Sequence, residues 1–166
     1  MGKYIPMDPM FLMVALETLL RISLGVRFLY SGLSNVQRWP NAVENAKLVF
    51  TFGHTGFGLI AVFFMVAGGI GLTLGFQTRL SALMIVLFLI PTLKIQWHWL
   101  RTLPATIEEV NNALPQGEFR TQFRLLARHA YHSHETGWQN NLLFMVVALF
   151  YVVRGSIAFG LDNWLR

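Results

Sequence analysis

Glu17 and Arg21 interrupt the first apolar run of the chain, and their types and spacing bear directly on chemistry. Residues four apart share one helix face, so the two side chains are expected to pair. An ionisable group at the centre of a membrane-spanning helix costs roughly 2.5–3.5 kcal/mol on insertion scales. Two readings follow. The pair is an interior ion pair that fixes packing, or Arg21 offers its fork of N–H donors to a ligand. A quinone carbonyl or an anionic sulfur substrate would suit that fork. Arg27 lies on another face, nearer the far boundary.

The histidines form the second set. His54 precedes the second apolar run, His98 ends the third, and His129, His132 and His134 lie between the third and fourth. If the runs cross a membrane in alternation, all five fall toward one face. Trp39, Trp97, Trp99 and Trp138 fall there too, and Trp164 on the other. Tryptophans at such depths commonly form an interfacial belt. Three chemistries compete with a purely structural role for the histidines. The 129–134 trio could bind a transition metal, although its spacing is generic. His54 and His98 could bracket a haem. His98, between Trp97 and Trp99, could hold a quinone headgroup by stacking and hydrogen bonding. No intrinsic cofactor is expected, and quinone is the favoured small-molecule partner.

Several chemistries are excluded. The chain has no cysteine, so thiolate catalysis, cysteine-ligated clusters and covalent c-type haem are absent. No nucleophile–base pair, phosphate loop or dinucleotide fingerprint is present. The net charge of +5 does not point to nucleic acid, because the arginines sit between long apolar runs. Anionic lipid headgroups are the expected neighbours of such residues.

These residues need elements that hold them in lipid. Of the 166 residues, 54% are hydrophobic and 13% charged, against roughly 25% charged in soluble domains. About 20 apolar residues cross a hydrocarbon core roughly 30 Å thick. Four segments qualify, at about 10–33, 56–76, 80–99 and 140–159, the third containing Pro91. Backbone amides in lipid must be bonded internally, so all four are helices. The expected fold is an all-α, integral membrane four-helix bundle forming one domain. The first run is too long and too charged for a signal peptide. Gln77-Thr78-Arg79 is a tight link that makes the second and third helices antiparallel neighbours. Gly71-x-x-x-Gly75 fits a close helix–helix contact.

Short interfacial helices are expected in the connections. One follows Pro40, over 41–52. The long connection 101–137 holds a capping-box pattern at Thr106–Glu109 and an apolar stripe at Phe119, Phe123, Leu126 and Ala130. Arg120, Arg124 and Arg128 flank that stripe, as they would on an amphipathic helix lying on an anionic membrane surface or against an acidic partner. Four spans place both termini on one side. The distribution of Lys and Arg makes the long connections cytoplasmic and the termini external.

Arg21-x-x-x-Gly25 followed by Phe28-Leu29-Tyr30-Ser31-Gly32-Leu33 resembles the opening helix of the DoxX family. Gly68-Gly69-x-x-Leu72-x-x-Gly75-Phe76-x-Thr78-Arg79-x-x-Ala82 is similar to its second signature. The ending from Gly155 through Gly160-Leu161-Asp162 is similar to its glycine-rich terminus. The family comprises small bacterial four-helix membrane proteins, named after a subunit of a thiosulfate:quinone oxidoreductase. The resemblance implies a non-catalytic or co-catalytic subunit of a redox complex in the bacterial cytoplasmic membrane, coupling a partner to the quinone pool. Other subunits of that complex, or further copies of this chain, would be its partners. The alternatives are a small anion or metabolite transporter with Arg21 in its pathway, and an anchor without a site of its own. Two departures stand out: Asn35 occupies the place of a lysine, and Met65 that of a helix-two glutamate. The histidine-bearing connection is also longer than the family pattern implies.

Overall fold

The computed structural model describes residues 8–165. All regular structure among them is helical: α1 (Pro9–Gln37), α2 (Trp39–Lys47), α3 (His54–Leu74), α4 (Thr78–Ala113), α5 (Glu118–Arg154) and α6 (Leu161–Trp164). Four of these, α1, α3, α4 and α5, are long and apolar enough to cross a membrane. Their large side chains are widely exposed, among them Met10, Leu16, Leu19, Phe63 and Val146. Apolar surface on that scale is stable in contact with lipid and not with water. The chain is a multi-pass membrane protein. It divides into two compact units, residues 8–88 with 145–165 and residues 89–144.

In the first unit, α1 starts on the side chain of Asp8, which accepts from the Met10 amide at 2.9 Å, with Pro9 in the first turn. Its buried residues are Glu17, Arg21, Leu24, Gly25, Phe28 and Gly32. Their three- and four-residue spacing gives one stripe. That stripe packs on α3 through glycine. A Cβ added at Gly69 would lie 2.6 Å from the Leu29 amide nitrogen, and one at Gly25 would lie 2.6 Å from that of Thr73. The two backbones therefore touch, as small residues allow in lipid. The Gly71-x-x-x-Gly75 pair makes further close contacts. Gly71 lies against Ser81 of α4, and Gly75 lies against Arg21 and Gly160. Gly75 (φ 66°) ends α3 in the left-handed region, and the Phe76 amide returns to the Gly71 carbonyl at 2.8 Å. The short helix expected over 41–52 is α2, which begins earlier, at Trp39 with Pro40 in its first turn, and ends at Lys47.

The second unit is an antiparallel helical hairpin turning at residues 114–117. Here the structure differs from the expected connection of separate short helices. Residues 100–113 continue α4 and residues 118–137 continue α5, leaving a four-residue turn. Pro91 and Pro104 are accommodated inside α4. Thr102 Oγ1 donates to the His98 carbonyl at 3.0 Å, and Thr106 Oγ1 to the Thr102 carbonyl at 3.2 Å. The Thr106–Glu109 capping pattern thus lies mid-helix. At 1.5 Å per residue, α4 is about 54 Å long, well beyond a hydrocarbon core of roughly 30 Å. Two arginines of the expected surface stripe bond within the hairpin. Arg120 donates to the Leu114 carbonyl, an orphan at the end of α4, and Arg124 Nε donates to Asn111 Oδ1 at 2.8 Å. Arg128 is exposed.

Candidate functional site

The first unit buries a polar cluster where α3 ends and α4 begins. Arg21 is fully buried. Its Nη1 donates to the Leu72 carbonyl at 2.6 Å and lies 3.5 Å from that of Thr73. Its Nη2 donates to the Phe159 carbonyl at 3.0 Å. The last carbonyls of a helix have no intrahelical donor, and a cation there also meets the negative end of the macrodipole. Arg21 therefore caps α3 from a neighbouring helix. Glu17 is also buried but does not pair with it directly. Among the described residues, the ion pairs within 4.0 Å are Lys47–Glu44 and His132–Glu135. The expected Glu17–Arg21 contact gives way because the guanidinium fork finds two carbonyl groups that helix α1 cannot supply. Tyr151 donates its hydroxyl to the Glu17 main-chain carbonyl at 2.7 Å.

Asp162 completes this end. Its carboxylate accepts from the Gln77 amide at 2.6 Å and the Thr78 amide at 2.8 Å, and its own amide donates to the Gly75 carbonyl at 2.8 Å. One residue of the C-terminal segment thus caps α4 and ties the α3–α4 turn. Asp162→Ala is expected to cost about 0.5–2 kcal/mol, the range for a lost N-cap, read as a lower melting temperature in detergent. An unchanged melting temperature would show the cap to be idle.

The second unit collects the aromatic residues. Trp99 stacks on His134, with ring centroids 5.6 Å apart and planes 17° apart. His134 Nδ1 lies 2.9 Å from Gln96 Oε1, within hydrogen-bond reach. Trp97 packs against Trp138 at 5.9 Å, and the Arg101 guanidinium carbon sits 4.9 Å from the Trp97 ring centre. Gly137 lets α5 approach Gln96, because an added Cβ would meet its amide nitrogen at 3.0 Å. The result is a band of flat faces with a paired amide and imidazole among them.

His98 does not join this band as expected. Its ring is exposed and edge-on to Trp99 at 6.0 Å. Consecutive helical residues project about 100° apart, so Trp97 and Trp99 do not flank one ligand beside His98. His54, in the first unit, has Nε2 3.1 Å from the Phe50 carbonyl. His129 is exposed, and His132 pairs with Glu135 at 3.1 Å on the surface. No three histidine, aspartate or glutamate side chains converge as a metal-binding group among the described residues. Sequence reasoning missed Gln96, Gly137 and Tyr151. Gln96 carried a usable signal, as an amide in a helix end otherwise crowded with aromatics.

A family model described as DoxX matches residues 16–99, half of the chain. The matched span contains Arg21, Gly25, Gly69, Gly75 and Gln96 and stops before the C-terminal segment. Neither a curated protein nor a solved structure matches the chain.

Proposed function

The chain belongs to the DoxX family, and on that premise we propose that it is a non-catalytic or co-catalytic subunit of a membrane redox complex, coupling a partner protein to the quinone pool. The observation that supports this reading is the band of Gln96, Trp97, Trp99, His134 and Trp138. An indole face at this band stacks on a quinone ring, while the imidazole of His134 or the amide of Gln96 donates to a quinone oxygen. Its electrons enter and leave through the partner's cofactors. The setting is a bacterial cytoplasmic membrane, with the α4–α5 turn cytoplasmic by the distribution of Lys and Arg. The transporter reading is the weaker one, because the Arg21 fork it would place in a pathway is engaged by main-chain carbonyls.

The test is a titration of the purified protein in nanodiscs with a short-chain benzoquinone and naphthoquinone, followed by tryptophan fluorescence. Saturable quenching is expected. His134→Leu should weaken it about tenfold, the equivalent of one hydrogen bond near 1.4 kcal/mol. Quenching that never saturates, or is the same in the variant, would sink the quinone site. The anchor reading would then stand.

A further inference from the structure

We infer that the face of α1 carrying Ser23, Arg27 and Tyr30 is a docking surface inside the membrane. Its occupant is a transmembrane helix of a partner subunit with an aspartate or glutamate at mid-span. The existence of a partner rests on the reading of the chain as a subunit, whereas residues 96–138 play no part.

Ser23, Arg27 and Tyr30 stand four and three residues apart, so they share one helix face. The buried stripe of α1 runs through Glu17, Arg21, Leu24 and Phe28. At 3.6 residues per turn, the polar face lies roughly 140° round the helix from that stripe. All three residues are exposed, and none of their side chains makes a hydrogen bond or ion pair among the described residues. Hydrocarbon offers such groups no partner, so each is costly until a protein supplies one.

Depth argues against the lipid headgroups as the partner of Arg27. Ser23 is midway between Pro9 and Gln37, the ends of α1. Arg27 stands one turn beyond it, about 15 Å from the Gln37 end at 1.5 Å per residue. Helical side chains lean toward the N-terminus, so Arg27 leans back over Ser23 and into the span. A second copy of the chain does not fit either. Of its eight acidic residues, Glu17 alone lies in an apolar run, and it is buried. The carboxylate therefore comes from another protein, and its two oxygens match the guanidinium fork. Ser23 is small enough to let a second backbone approach, and Tyr30 supplies a further donor one turn along. Leu16 and Leu20 extend the same face with exposed apolar surface.

The test uses the full chain in phosphatidylcholine bilayers with two synthetic polyleucine helices, one with a central Glu and one with Gln in its place. Association is read by energy transfer from the tryptophans of the chain to a dye on the peptide. The Glu helix should bind about three- to tenfold more tightly than the Gln helix, the range for an interhelical polar contact in lipid. Arg27→Leu should abolish that preference without lowering the melting temperature. Arg27→Glu should transfer the preference to a helix with a central Lys, which a misfolded variant would not do. Equal binding of the Glu and Gln helices, or a preference unchanged in Arg27→Leu, overturns the proposal. A preference lost when phosphatidylglycerol replaces phosphatidylcholine assigns Arg27 to lipid phosphate and overturns it too. A dimer of the parent without peptide, dissolved by Arg27→Leu, assigns the face to a second copy and likewise overturns it. The quinone titration is run without either peptide, so failure there and failure here are separate results.

Discussion

Arg21→Leu is expected to destabilise the protein by about 3–5 kcal/mol, the range for removing one member of a buried charged network. The parent guanidinium is fully buried and satisfies the Leu72 and Phe159 carbonyls. Leucine removes both bonds and leaves two oxygens without a donor, each a cost of about 1–3 kcal/mol. Arg21→Lys should recover only part of this. A single ammonium on a flexible stem does not reach the end of α3 and the C-terminal segment together as a planar fork does. Glu17→Gln combined with Arg21→Leu should not restore the parent, since Glu17 and Arg21 form no ion pair within 4.0 Å and the two carbonyls stay without a donor. Thermal unfolding of the four proteins in one detergent decides the matter. Recovery of stability in the double variant would show that the two charges do compensate each other, against the geometry described above.

That contrast shows where the sequence was readable. Glu17 and Arg21 were legible as interior groups, because charges inside an apolar run must be buried or engaged. Their partners were not. The carbonyls of Leu72 and Phe159 lie 51 and 138 residues from Arg21 along the chain, and local spacing carries no trace of them. The four apolar helices were legible for the same hydropathic reason. The continuation of α4 through Pro104 to Ala113 was not, because polar residues, a proline and a capping box imitate a loop and a new helix start. The Thr102 and Thr106 hydroxyls show what the polar residues do instead, bonding the preceding turn's carbonyls. The same limit applies to the histidines. Which of them meets an aromatic face depends on helix phase. Phase selects His134 against Trp99 and leaves His98 exposed.

Gly75→Ala should cost about 2–5 kcal/mol, from two sources that the structure separates. The residue sits at φ 66°, where an L side chain costs about 1–2 kcal/mol. The new Cβ would also lie 2.5 Å from Arg21 Nη1 and 2.6 Å from Gly160 Cα, and overpacking of this kind costs about 1–3 kcal/mol. Relief requires moving the Arg21 guanidinium off the α3 carbonyls or lifting Gly160 away from the turn that Asp162 ties. The two substitutions, Gly75→Ala and Arg21→Leu, should therefore be strongly non-additive. Once Arg21 is leucine, part of the clash is gone. Once Gly75 is alanine, part of the Arg21 bonding is already lost. A coupling of about 0.5–3 kcal/mol is expected in the double-mutant cycle. Gly56→Ala is the control, because a Cβ there meets nothing within 4 Å and the site is helical; it should be neutral or slightly stabilising. Additive losses at positions 21 and 75 would mean that α3 is terminated by Gly75 alone. Coupled losses would mean that the end of α3, the start of α4 and the C-terminal segment melt as one polar knot, with Arg21 at its centre.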